Sequence, residues 1–206
     1  MIRTMLFDLG NVMIRFSHEK MFDQVGALCG ASGDEASRWF LESPLPGQFE
    51  RGQVGGGEIH RWIEGMADRR LKREEVKLAI SDIFWAVSRM EAIAGHIKQA
   101  GLRLVLLSNT CAWHVDFIRE RFDVLAPFDD LVLSYEVGAA KPESRIYEVA
   151  LERIGCVPGE CFFVDDKQEN IDAACRHGLD AELFTDADAF LQHLAARGLS
   201  VGSAPD

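Results

Sequence analysis

Four places along the chain set polar side chains directly after a short apolar run. Met5-Leu6-Phe7 leads into Asp8, and residues 102–107 lead into Ser108 and Asn109. Leu131-Val132-Leu133 leads into Ser134, with Lys141 a short loop later, and Cys161-Phe162-Phe163-Val164 leads into Asp165 and Asp166. Apolar runs of this length suit strands buried on both faces of a parallel sheet. In an open parallel sheet, ligands sit beyond the carboxyl ends of the strands. Three carboxylates gathered there repel one another and are costly without a cation. Mg²⁺ suits them, since it takes oxygen ligands: a few carboxylates, water and a substrate phosphate. Ser108 and Asn109 offer neutral donors to the other phosphate oxygens, and Lys141 offers a positive charge. A carboxylate held in line with phosphorus can attack it, giving an aspartyl-phosphate that water later hydrolyses.

Helical patterns separate these runs and must carry the loops between them. Residues 88–100 place Met90, Ile93, Ala94, Ile97 and Ala100 on one face before Gly101, residues 143–154 end at Gly155, and residues 168–177 end at Gly178. A glycine just past the last turn is the usual helix stop. The alternation of strand and helix from residue 88 to about 196 predicts an α/β fold, a Rossmann-like parallel sheet with helices on both faces. Residues 17–87 break the rhythm: they are helical in pattern, carry no comparable strand run, and are interrupted by Pro44, Pro46, Gly47, Gly52 and Gly55-Gly56-Gly57. They are read as a small all-helical insertion of about four helices. The core is then 1–16 with 88–206, and the tail from Gly198 to Asp206 is expected to fray.

The bulk composition narrows the class. A chain of 206 residues that is 48% hydrophobic can build one full core with a small second unit. The net charge of −11 argues against nucleic acid as a partner, since such binding rests on Lys and Arg neutralising phosphates. The one basic cluster, Arg69, Arg70, Lys72 and Arg73, runs straight into Glu74 and Glu75 and reads as a solvated helix end. No run of about 18 apolar residues occurs, so no membrane span is expected. Five cysteines without a Cys-x-x-Cys pair fit reduced, mostly buried thiols, and the first eight residues are too short and too soon charged for a signal peptide; both point to the cytoplasm. Oligomeric state is not legible here.

Taken in order, Phe7-Asp8-Leu9-Gly10-Asn11-Val12, Leu107-Ser108-Asn109-Thr110, Lys141-Pro142 and Phe163-Val164-Asp165-Asp166 resemble the four motifs of haloacid-dehalogenase-like hydrolases. Each motif alone is weak, whereas the ordered set spans nearly the whole chain. The helical insertion is similar to the family's small C1-type cap, and the Asp-Leu-Gly-Asn-Val form resembles bacterial members acting on α-D-glucose 1-phosphate. The resemblance implies a magnesium-dependent phosphatase for a small phosphorylated metabolite. It makes Asp8 the nucleophile and a metal ligand, the Gly10 carbonyl a second ligand, and Asp166 the main ligand from the fourth motif. Asp165 then ligates through water or supports, while Ser108, Asn109 and Lys141 hold the phosphoryl group. The departure is Gly10, where most family phosphatases carry an Asp that protonates the leaving group. General acid–base help is worth about 10²–10⁴ in rate. Its loss matters less for sugar 1-phosphates, acyl phosphates and aryl phosphates, whose leaving oxygens are more acidic. His18 and Glu19 are the sequence's nearest substitutes.

Plainer readings stand beside these. Asp8 alone could cap a turn, Ser108 and Asn109 could cap a helix starting near Cys111, and Gly55-Gly56-Gly57 lacks the strand and Lys-Ser/Thr of a phosphate loop. His60, His96, His177 and His193 have no zinc spacing and read as helix-surface or boundary residues. Trp39, Trp62, Trp85 and Trp113 read as core or cap-interface residues, with Trp39, Trp62 and Phe49-Glu50-Arg51-Gly52 as candidates to face the site. Two rival functions remain: a metal-free dehalogenase, and a phosphate-binding regulatory module without turnover.

Overall fold

The computed structural model of the chain describes residues 1–199; residues 200–206, most of the segment expected to fray, lie outside the described residues. The chain enters through β1 (Thr4–Phe7) and turns at Asp8 into β2 (Ile14–Phe16). Five helices follow: α1 (His18–Cys29), α2 (Gly33–Glu42), α3 (Leu45–Glu50), α4 (Gly56–Glu64) and α5 (Arg73–Ser81). β3 (Phe84–Ala86) then pairs antiparallel with β2, so both crossings between cap and core lie side by side. Ser17 N–H donates to the Ile83 carbonyl at 3.1 Å, closing the base of this segment.

The rest alternates as the sequence predicts: α6 (Ser88–Gln99), β4 (Arg103–Ser108), α7 (Ala112–Arg121), β5 (Asp130–Leu133), the one-turn α8 (Ser134–Val137), α9 (Ser144–Arg153), β6 (Cys161–Asp165), α10 (Gln168–Arg176), β7 (Asp180–Leu183) and α11 (Ala187–Ala196). The sheet is parallel throughout in the order β5-β4-β1-β6-β7, the doubly wound arrangement with β1 central. Gly101, Gly155 and Gly178 follow their helices in the left-handed region, at φ +87°, +71° and +80°, as stop signals require.

Alternate residues of the strands feed two cores. Met5, Phe7, Leu104, Leu106, Phe162 and Val164 point to one face, and Leu6, Val105, Leu107, Cys161 and Phe163 to the other. Burying each such side chain contributes roughly 1.5–3 kcal/mol, which makes register slippage costly and fixes where the strands end. The cap has its own cluster, built on Met21, Val25, Ile59, Ile63, Val76 and Ile80.

The structure departs from the sequence reading in four places. The cap has five helices rather than about four, because the short α3 begins within the Pro44-Leu45-Pro46 stretch that reads as a breaker. The segment read as purely helical also carries β3, three residues too short to show a period. The edge strand β7 is half-buried along its whole length, and its Asp180 and Glu182 hide it from an apolar-run search. Trp85 is exposed on β3, not in a core or interface. No helix among the described residues is long and apolar enough to cross a membrane.

Candidate active site

β1, β4 and β6 end at one edge of the sheet and set Asp8, Ser108 and Asp165 beside one another. Asp8 follows β1 directly, its N–H donating to the Val164 carbonyl at 3.0 Å. Lys141 arrives from the loop after α8 and is buried with the carboxylates. Its Nζ donates to Asp8 Oδ1 at 2.7 Å, Asp165 Oδ2 at 2.6 Å and the Leu107 carbonyl at 2.8 Å. Burial alone would lower the Lys141 pKa; Asp8 and Asp165 outweigh it and hold the ammonium above its ordinary value.

The loop carrying Lys141 is tied down by Asn109. Its amide donates to the Lys141 carbonyl at 2.9 Å and accepts from the Lys141 N–H at 2.7 Å. Both ends of that amide are engaged with main chain, so Asn109 is aimed at Lys141 rather than into open space. The Lys141–Pro142 peptide is cis. Ser134, at the end of β5, accepts from the Thr110 N–H and donates to the Thr110 carbonyl, both at 2.9 Å. These bonds fix the loop from Ser108 to Thr110, which leads into α7. The N-cap position of α7 falls to Cys111, not to Ser108 or Asn109. The hydroxyl of Ser108 makes only a long 3.5 Å contact to the Asn109 carbonyl and lines the cavity beside Gly10.

The carboxylates differ among themselves. Asp165 is fully buried, and its two oxygens accept from Lys141, from the Lys167 N–H at 2.9 Å and from the Asn170 amide at 2.8 Å. Asp166 is half-buried, and Asn11 donates to its Oδ2 at 3.0 Å. Burial pushes the Asp8 carboxyl up to about 6, with Lys141 opposing and Asp165 adding to the rise. One oxygen of each of the three lies within 4.8 Å of the others. One ammonium for three crowded carboxylates leaves charge to neutralise, and an all-oxygen donor set of this size fits Mg²⁺.

Two residues that the sequence did not single out hold this arrangement. Asn11 sits at φ +57°, a left-handed backbone that Asn tolerates better than most side chains, and this brings its amide to Asp166. Asn170 anchors Asp165 from α10 and is held in turn by the Tyr147 hydroxyl on its carbonyl at 2.9 Å. The only sequence signal for Asn11 was its place after Gly10; Asn170 had none.

Beside Gly10 lies a cavity of about 140 Å³ whose lining includes Phe16, His18, Glu50, Ser108, His114 and Lys167. An adjoining cavity of about 210 Å³ runs into the cap and shares His18, Glu50 and His114 with it. Of the sequence candidates, Trp62, Phe49 and Glu50 line this space, whereas Trp39 packs half-buried against the cap cluster and lines a separate hollow beside Glu35 and Arg38. Glu19 is exposed on α1 and lines neither cavity. Burial raises the Glu50 carboxyl above its ordinary value, with Arg51 and Lys167 opposing, and burial lowers His114 to about 4. Arg51 bridges to Glu143 at 2.9 Å, and Gly52, at φ +64°, lies so close to the core that a Cβ there would sit 2.1 Å from the Tyr135 carbonyl.

The sequence model of the haloacid dehalogenase-like hydrolases matches residues 2–178. The chain is 27% identical over 179 residues to the D-ribitol-5-phosphate phosphatase of Bacteroides thetaiotaomicron, covering 83% of this chain and 86% of that one. It is 31% identical over 150 residues to a sesquiterpene phosphatase of Aspergillus oryzae, covering 71% and 76%. A HAD family enzyme from Bacteroides thetaiotaomicron, solved in complex with magnesium and inorganic phosphate, superposes with a TM-score of 0.82 at 23% identity, over 92% of this chain and 98% of that one.

Proposed function

We propose that this chain, which belongs to the haloacid dehalogenase-like hydrolases, is a Mg²⁺-dependent phosphatase that works through an aspartyl-phosphate on Asp8. The observation that carries the reading is the buried trio of Asp8, Lys141 and Asp165: a carboxylate at a strand end whose charge is balanced by one ammonium held at 2.7 Å. The activities of these two relatives, both phosphatases, support the same reaction class. In this reading residues 17–87 form the cap that chooses the leaving group, over a core of 1–16 and 88–206.

The roles follow from the chemistry of each side chain. Asp8 attacks phosphorus as the carboxylate, the bond to the leaving oxygen breaks, and water then hydrolyses the acyl phosphate to regenerate Asp8. Lys141 offsets the charge of Asp8 and sets its positive charge beside the phosphoryl oxygens as negative charge gathers there. Ser108 supplies a hydroxyl donor. Asn109 positions Lys141 through its main chain and leaves its own N–H for the phosphate, at the approach to the α7 N-terminus. Asp8, Asp166 and the Gly10 carbonyl would hold Mg²⁺, with Asp165 supporting from behind. When bound, the metal neutralises developing charge and orients nucleophile and phosphate.

Leaving-group protonation cannot come from residue 10. A Cβ on Gly10 would sit 2.7 Å from Phe16 Cε1, so the ring occupies the space where an acidic side chain would start. Substrates with acidic leaving oxygens, sugar 1-phosphates among them, are therefore favoured over primary alkyl phosphates. The test is a phosphate-release assay with and without Mg²⁺, with single-turnover trapping of phosphorylated protein. Turnover that survives excess chelator would favour a metal-free dehalogenase-type reaction. Phosphate binding without phosphoprotein or turnover would favour the regulatory module.

A further inference from the structure

We infer that the leaving group is apolar and aromatic: the substrates of this site are aryl phosphates, whose ring is taken up by the cap. This rests on the phosphatase reading above and deepens it. The cap cavity of about 210 Å³ is walled by Met21, Phe22, Phe40, Phe49, Ile59 and Trp62. At its rim stands Leu41, 80% exposed, an apolar side chain left in water. With the adjoining cavity of about 140 Å³ it falls near the lower end of the roughly 300–1,000 Å³ typical of small-molecule sites.

The two cavities are joined by a run of rings. Phe16, the residue filling the space at Gly10, meets His18 at 4.9 Å edge to face; His18 stacks on Phe22 at 6.1 Å. Phe22 meets Phe40 at 5.4 Å, and Phe40 meets Trp62 edge-on at 5.0 Å. This run leads from the phosphoryl end into the cap chamber. Aromatic rings gain from such contacts beyond the area they bury. A sugar placed there would lose water from its hydroxyls against walls that are apolar apart from His18, Glu50 and His114 at the end shared with the core cavity, and that is unfavourable.

A second constraint comes from the core. With no acid at Gly10, the leaving oxygen must depart as a stable anion. Attack by Asp8 forms the new bond to phosphorus, and the electron pair of the broken bond leaves on the aryl oxygen as a phenolate, which then takes a proton from water. A second water hydrolyses the aspartyl-phosphate, returning Asp8 as the carboxylate and releasing the proton that neutralises the hydroxide, so that aryl phosphate and water give phenol and inorganic phosphate. Sugar 1-phosphates meet the acidity constraint but not the apolar one. Alkyl and isoprenoid phosphates meet the apolar constraint but not the acidity one. Aryl phosphates meet both.

The test measures kcat/KM of the full chain with Mg²⁺ for four esters: phenyl, 2-naphthyl and benzyl phosphate, and glucose 1-phosphate. Phenol and 2-naphthol leave with similar acidity, so the extra ring reports on the chamber; it should raise kcat/KM by about 10-fold or more. Benzyl phosphate keeps the ring without the acidity and should fall about 10²-fold below phenyl phosphate. Glucose 1-phosphate should fall below both aryl esters. Glucose 1-phosphate equal to or better than phenyl phosphate, or no gain from the second ring, overturns the aryl assignment and leaves the phosphatase reading standing. No Mg²⁺-dependent hydrolysis of any of the four, nor of acetyl phosphate, takes both readings down. Trp62→Gln should erase the naphthyl advantage, and an undiminished advantage would count against the chamber. Should that variant not fold, 2-naphthol offered to the unaltered enzyme decides: it should compete with naphthyl phosphate where glucose does not, and absence of competition rejects the chamber.

Discussion

Lys141, buried among the strand ends, and Trp62, in the wall of the cap chamber, are held by different forces. Lys141 has its ammonium on Asp8, Asp165 and the Leu107 carbonyl, and its peptide groups on the Asn109 amide. Every donor it owns in this buried setting has a stated partner, so its position is over-determined. Trp62 is half-buried and meets Phe40 by ring contact. Directional bonds fix a geometry, whereas apolar contact fixes only a volume and a surface character. The contrast teaches a division of labour. In the function proposed above, the strand ends define one reaction, and the cap defines a class of molecule and tolerates variation within it.

Changes at the strand ends should therefore affect all substrates alike, and the largest effect is at Asp8. Asp8→Asn should drop kcat by roughly 10⁴-fold or more for every ester while leaving the melting temperature close to that of the unaltered chain. A variant that still turns over one ester at a normal rate would break the contrast, because the nucleophile would then depend on the substrate. Removing Mg²⁺ should be nearly as severe and reversible, checked by chelation followed by titration of Mg²⁺, with Ca²⁺ restoring less because it accepts a looser coordination shell.

Lys141→Ala comes next. It leaves Asp8 and Asp165 buried without their cation, a change of about 3–5 kcal/mol in stability, and it should lower kcat itself. A raised KM with unchanged kcat would mean uniform binding instead. Lys141→Arg separates charge from shape: the guanidinium keeps the charge but does not match the three-way contact of the ammonium.

A smaller effect sharpens the boundary between the two regions. Gly10→Asp alone should not install an acid, because Phe16 stands 2.7 Å from the new Cβ. Gly10→Asp with Phe16→Ala should open that space and flatten the dependence of rate on leaving-group acidity. A Brønsted series across phosphate esters checks it. A flat series in the unaltered chain, with chemistry rate-limiting, would mean that another group supplies the proton. His18 and Glu50, which line both cavities, would then be the residues to mutate.

The smallest expected effect is on stability. Burial lowers His114 to about 4, against 6.5 for an ordinary histidine. The folded chain thus holds it neutral, and the unfolded chain takes up a proton first as pH falls. The penalty is absent above pH 6.5, grows as pH falls toward 4, and levels off below, to a total of a few kcal/mol at roughly 1.4 kcal/mol per unit. Asp8, held at about 6, works in the opposite sense over the same range, so urea titrations at pH 7 and pH 5 are compared between chains: the change from pH 7 to pH 5 should be less favourable in the unaltered chain than in His114→Gln.

Much of the core was legible because parallel strands buried on both faces must be apolar throughout, so their ends stand out as the first polar residues. Asp8, Ser108 and Asp165 were found in this way. The edge strand β7 carries Asp180 and Glu182 and has no such contrast. Asn170 acts from inside a helix, five residues past the carboxylate it holds, where nothing in composition marks it. The lining of the cap chamber was least legible. Phe40 and Trp62 meet across two helices, and helical periodicity says which residues face inward but not which of them leave a space between them.

The ribbon of β2 and β3 has one more consequence, for how such a chain can change over generations. Ser17 and Ile83 are hydrogen-bonded neighbours, so everything between them is a loop whose ends are already closed at the base. The entropy of closing a loop rises only slowly with its length, about 0.6 kcal/mol for each doubling. Residues gained or lost in the segment between those two positions therefore place little load on the sheet below. Insertions, deletions and whole replacements of helices can accumulate there while β1 still delivers Asp8 to the same spot. One reaction can in this way be carried from one family of molecules to another by rewriting a closed excursion of the backbone.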